Sequence, residues 1–72
     1  MNERKKYVWI VVEGENYEGY TIDSVHKSKC RAVKRLQEIY ERSNRWHWFT
    51  DTELPVLRAG CDYVKIEKHE IK

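Results

Sequence analysis

The sequence predicts an α+β fold: a small two-layer sandwich in β-β-α-β order, one helix on one face of an antiparallel or mixed sheet. Three observations carry that expectation. "KYVWIVV" (Lys6 to Val12) is an unbroken β-branched and aromatic run, the pattern of a strand covered on both faces. "YEGYTIDSV" (Tyr17 to Val25) resumes strand-like alternation after a turn-forming interruption. The stretch that follows switches to helical periodicity. With 72 residues in all, residues 1–72 make a single domain with room for one core.

The first strand places Tyr7, Trp9 and Val11 on one face and Val8, Ile10 and Val12 on the other, so both faces are apolar. "EGEN" (Glu13 to Asn16) should end it, because Gly and Asn favour turns. In the second strand Tyr20 and Ile22 share one face, with Thr21 and Asp23 opposite. These two segments read as an antiparallel hairpin.

Ala32, Val33, Leu36, Ile39 and Tyr40 then recur at 3.6-residue spacing and form one apolar stripe. Ser28 fits the N-cap, and the helix should run from about Lys29 to Ser43. Glu38 with Arg42 and Glu41 with Arg45 have the spacing of i,i+4 ion pairs. Pro55 and Gly60 make "DTELPVLRAGCD" a loop or a short edge strand. "YVKIEKHEI" (Tyr63 to Ile71) is the last strand, with Val64 and Ile66 on one face. A right-handed return from the helix would lay it parallel to the first strand. One helix covers only one sheet face. The second apolar face therefore needs either the aromatic segment after the helix or a second copy of the chain, a homodimer, as its cover.

Small chains need extra stabilisation from disulfides, metals, oligomerisation or dense aromatic packing. Three Trp, five Tyr and one Phe supply the last. Cys30 and Cys61 are too few for a disulfide framework, and nothing resembles an export signal or a membrane span. The cytoplasm with reduced thiols is the expectation, with no membrane partner.

The formal charge of +2 is a small excess among 14 basic and 12 acidic residues, so composition alone does not mark a nucleic-acid binder. Its layout says more. Lys27, Arg31, Lys34, Arg35 and Arg42 fall opposite the apolar stripe. Cations in the first turns oppose the helix dipole, a cost that an anionic partner would offset. Glu38 and Glu41 interrupt the row, so a solvated face explains it too.

The second constellation is "SNRWHWFTD" (Ser43 to Asp51). If extended, Trp46 and Trp48 share one side, and Arg45, His47 and Phe49 the other. At least one Trp should join the core, while exposed Trp beside Arg has the composition of interface hot spots. The same rings could stack on unpaired bases. A metal or catalytic reading would draw on His26, Cys30, His47, Cys61 and His69. Their spacing forms no repeated ligand pair, and no glycine-rich phosphate loop is present. No cofactor, metal or catalytic residue is expected.

"YEGYTIDSVHKSKCRAVKRLQEI" with the closing "DYVKIEKHEI" resembles a loose class of small phage and prophage proteins. In that class a β-hairpin leads into a "V-x-x-S" helix start, an Ala-bearing amphipathic helix and a last strand of alternating apolar and charged residues. The segment from Trp46 to Gly60 separates helix and last strand more widely than the simplest members do. The resemblance implies a phage-encoded inhibitor that blocks a host protein or ribonucleoprotein complex, as an anti-CRISPR does. The resemblance carries over no functional residues; the basic helix face and the aromatic segment supply the expected binding residues, Arg31, Lys34, Arg35, Arg42, Arg45, Trp46, Trp48 and Phe49. A small nucleic-acid-binding protein using the same helix face is the competing expectation.

Overall fold

The computed structural model describes residues 6–15, 19–50 and 53–71. The chain is α+β, with strands β1 (Lys6–Glu15) and β2 (Gly19–His26), helix α1 (Lys29–Arg42), and strands β3 (His47–Phe49), β4 (Val56–Ala59) and β5 (Asp62–Ile71). The order is thus β-β-α-β-β-β, two short strands more than expected. All five strands join one sheet in the order β2-β1-β5-β4-β3, and every pairing is antiparallel.

The parallel return expected for the last strand is therefore corrected. β3 and β4 form one antiparallel pair, and a two-residue turn at Gly60 and Cys61 joins β4 to β5. Those two reversals cancel, so β5 runs in the same sense as β3. The helix returns the chain in the sense of β2, which is antiparallel to β1, and β5 is therefore antiparallel to β1 too. Gly60 takes φ 61° at the first turn position, where a side chain would be strained.

β1 does not stop at the expected Glu13–Asn16 turn. It stays paired through Glu15, on both sides, to Gly19 of β2 and Asp62 of β5. Gly14 makes this continuation tolerable because its neighbours crowd in. A Cβ there would lie 2.5 Å from the Gly19 carbonyl oxygen and 2.7 Å from Tyr20 Cβ. Here the glycine serves close packing inside a strand. Asn16 and Tyr17 lie outside the described residues.

The helix forms where its periodicity places it. The Ser28 hydroxyl accepts from the Arg31 amide at 3.3 Å, the N-cap arrangement. Ala32 and Leu36 are fully buried beneath it. They meet Val11, Leu57, Val64 and Ile66 from the sheet, with Trp46 completing the cluster. Every cross-strand partner follows the register: Val11 sits opposite Ile66, and Val64 opposite Leu57. Seven buried side chains on this one face are the whole cluster, so removing any one is costly.

β2 carries a β-bulge. Val11 pairs with Ser24, yet Val12 pairs with Ile22, leaving Asp23 as the extra residue. Two consequences follow from one inserted residue. Asp23 turns to the helix side, where Arg35 grips it through Nε to Oδ2 at 2.8 Å and Nη2 to Oδ1 at 3.0 Å. Beyond the bulge, alternation restarts, so Val25 opposite Ile10 falls on the same face as Ile22 opposite Val12.

Candidate functional site

The aromatic segment is extended, and it does not wrap over the second sheet face. Trp48 pairs with Leu57, which places it on the helix side, and its ring meets the edge of Tyr40 at 5.7 Å in a T-shaped contact. Trp46 is 7% exposed and belongs to the core cluster. The Arg45 guanidinium lies 4.6 Å above the Trp46 ring and forms an ion pair with Asp62. Arg45 thus seals the ring from the outside by cation–π contact. Both tryptophans point inward. Phe49, 42% exposed, is the member of the trio that reaches solvent, and it does so on the opposite side of the sheet.

The basic residues divide in the same way. Arg35 is held by Asp23 and also lies 3.7 Å from Glu38. The Asp23 carboxyl is held below its ordinary value chiefly by the hydrogen bond from Arg35, and that bond raises Arg35 in turn. Ser24 adds to the effect, donating its hydroxyl to Asp23 at 2.9 Å while also contacting His26 at 2.7 Å. Arg35 and Arg45 are therefore structural ties between helix, turn and sheet. Arg31, Lys34 and Arg42 are exposed and make no ion pair among the described residues.

Two expected helix pairs are replaced by other contacts. Glu38 turns to Arg35 rather than Arg42, and Glu41 accepts from Gln37 rather than pairing with Arg45. Arg42 is released in the process, because Arg35 anchored at Asp23 draws Glu38 away from it. The Lys34 flank of the helix, away from Arg31 and Arg42, carries a shallow groove lined by Lys29, Cys30, Val33, Lys34 and Gln37. Val33 packs partly on the core and Cys30 is an exposed free thiol. Tyr40, 41% exposed, continues that flank toward the helix end.

A second aromatic and basic cluster escaped the sequence reading. Tyr7 and Trp9 lie 6.4 Å apart on the helix side of β1, and Lys68 sits 4.2 Å above the Tyr7 ring and 5.8 Å from that of Trp9. The signal was present in the alternation of β1, but the partner Lys68 comes only from the antiparallel register of Trp9 with Lys68. Lys68 occupies the ring faces that a base would need for stacking.

The histidines and cysteines are dispersed. His26 bonds to Ser24, His69 bonds to Glu67 at 3.1 Å, and Cys61 is an exposed free thiol in the β4–β5 turn. Among the described residues no group of three acidic, His or Cys side chains could hold a metal ion, and no helix is long and apolar enough to cross a membrane. Compared with protein-family models, curated proteins and solved structures, the chain has no significant match.

Proposed function

We propose that the chain is a non-catalytic binding protein that seats the outer surface of α1 on an acidic surface of a protein or ribonucleoprotein complex. A phage-encoded blocker of host machinery, the context its resemblance implies, would work this way. The observation that carries the reading is the separation of cations into two groups. Arg35 and Arg45 are consumed by the fold, whereas Arg31, Lys34 and Arg42 stand exposed with no ion-pair partner among the described residues, and Lys34 with Lys29 borders a groove floored by Val33. Unpaired like charges next to apolar surface suit a partner of opposite charge, which accelerates encounter and fixes register. Tyr40, on the groove flank of the helix and 41% exposed, supplies the anchor type that such interfaces favour.

Burial of Trp46 and Trp48 moves the expected anchors inward and favours a protein partner over nucleic acid. Stacking on unpaired bases needs open ring faces beside the cations. Trp46 is capped by Arg45, and Tyr40 is engaged edge-on with Trp48. The test is capture from nuclease-treated host lysate by the whole chain and by an Arg31→Glu, Lys34→Glu, Arg42→Glu variant. A protein retained by the first and lost by the second supports the reading. Equal capture by both overturns it, as does tight binding of a single-stranded oligonucleotide that weakens steeply with salt.

A further inference from the structure

The face of the sheet turned away from α1 meets no helix among the described residues: Val12 at its centre is closed over at 1% exposure, while Tyr20, Ile22 and Val25 of β2 stand open. Alternation and register place Tyr20, Ile22 and Val25 of β2, Val8, Ile10 and Val12 of β1, and Tyr63, Lys65, Glu67, His69 and Ile71 of β5 on it. Ile22 is 59% and Val25 57% exposed. The bulge at Asp23 brings Val25 to this face, and without it Ser24 would stand there. Contiguous exposed apolar surface of this kind marks an interaction site.

We propose that this face pairs with the same face of a second copy of the chain, about a two-fold axis that runs across the strands between the levels of Lys65 and Glu67. The rows decide the occupant. Ile22, Val12 and Lys65 form one row across β2, β1 and β5, and Val25, Ile10 and Glu67 form the next. A two-fold axis between those rows lays each strand over its own copy, reversed. Ile22 then meets Val25 of the second copy, Ile10 lies over the level of the buried Val12, and Lys65 meets Glu67. One operation thus matches apolar to apolar along β1 and β2, and positive to negative along β5, as an isologous interface requires.

Within one chain Lys65 Nζ already lies 3.5 Å from Glu67, and the Glu67 carboxyl is held below its ordinary value by His69 first and Lys65 second. The charge column is therefore compensated before association, which suits a neutral, self-matching surface better than a strongly charged partner. With strands about 4.8 Å apart and residues about 3.4 Å apart, β1, β2 and β5 present roughly 450 Å² per copy. Two such faces bury about 900 Å², the size of a weak, transient interface. Sheets packed in this way keep their strands within about 30° of each other.

The test is mass against concentration for the full chain, by light scattering and sedimentation, across roughly 1 µM to 1 mM. The expected result is a twofold rise in mass. A monomer throughout overturns the proposal. Lys65→Glu and Glu67→Lys, each checked for the wild-type circular dichroism spectrum, should each be monomeric. Mixing these two monomers should regenerate a dimer, because one chain then carries two acids opposite two lysines. A role confined to the Lys65–Glu67 contact within one chain predicts no recovery on mixing, and that result would overturn the two-fold arrangement. Should either charge variant fail to fold, Ile22→Ser changes only an exposed position, and it should lower association at least tenfold with the melting temperature of the monomer unchanged.

Discussion

Trp46→Ala separates a binding anchor from a core residue more sharply than any other single change. The Trp46 ring is among the seven buried members of the cluster beneath α1, and Arg45 closes over it. Truncating a buried Trp to Ala typically costs about 3–5 kcal/mol. A domain of this size has a total stability of roughly 4–11 kcal/mol, scaled per residue. Arg45 would also lose its stacking surface and keep only its exposed pair with Asp62, a further loss of at most about 1 kcal/mol. The variant should therefore lose roughly half or more of the stability of the fold. Urea unfolding followed by far-ultraviolet circular dichroism would read this directly. With a slope near 1–2 kcal/mol/M, the midpoint should fall by about 2–4 M. Phe49→Ala is the control. Its ring is 42% exposed on the opposite face, and its midpoint should move by less than about 1 M. A Trp46→Ala protein that unfolds at the wild-type midpoint would refute the core assignment and restore Trp46 as an exposed anchor.

Four further outcomes follow from the geometry. Gly14→Ala forces a methyl group against the Gly19 carbonyl and Tyr20, and it should destabilise the fold by about 1–3 kcal/mol in the same urea assay. Asp23→Asn removes the carboxylate gripped by Arg35, and at neutral pH it should cost about 1 kcal/mol. Because the folded-state value of Asp23 is depressed below its ordinary 3.8, that stability is present above about pH 4 and fades as pH falls through the depressed value. Wild type and Asp23→Asn should thus converge in unfolding midpoint as pH falls below that depressed value, and a gap that does not narrow with falling pH would count against the pair. Ser28→Ala removes the N-cap acceptor for Arg31 and should lower stability by about 1 kcal/mol, with Ser28→Asp largely sparing it. Finally, Cys30 and Cys61 are exposed free thiols, so a thiol reagent should titrate both without denaturant, and slow reaction of either would contradict its placement.

The legible parts of the fold were those with enough residues to show a period. α1 spans 14 residues with a strong apolar stripe and a Ser at its cap, so both ends were readable within a residue or so. β1 was readable in type but not in length, because Gly14 looks like a turn residue. Only the packed neighbours Tyr20 and Tyr63 show why a glycine stands within a strand. β3 has three residues and β4 four, too few to establish alternation. The direction of β5 was set by β2, since a helix returns the chain in the sense of the strand it leaves and β2 is antiparallel to β1. The site was less legible for a related reason. Whether an arginine is free or tied depends on contacts across long stretches of chain. Arg35 reaches Asp23 and Arg45 reaches Asp62, and neither partner is visible in the local helix spacing. The bulge is the most consequential of the unreadable features, since one unpaired residue decides which side chains share a face with Ile22.

The two surfaces proposed for this chain constrain each other. A two-fold pairing of the open sheet faces stacks the sheets about 10 Å apart, with each helix roughly another 10 Å outward. The exposed cations of the two α1 helices then point in opposite directions, separated by at least about 30 Å. A single flat acidic patch cannot reach both. Association through the sheet would therefore leave each helix to engage its own target, giving two chains to two targets, and avidity would arise only on a partner that presents acidic sites on both sides of the dimer. The same geometry makes the surfaces independent. Charge reversal at Arg31, Lys34 and Arg42 should abolish capture while the dimer persists, and Ile22→Ser should dissolve the dimer while each monomer still binds. If Ile22→Ser abolished capture as well, the sheet face itself would be the docking surface for the target, and the assignment of function to α1 would fail.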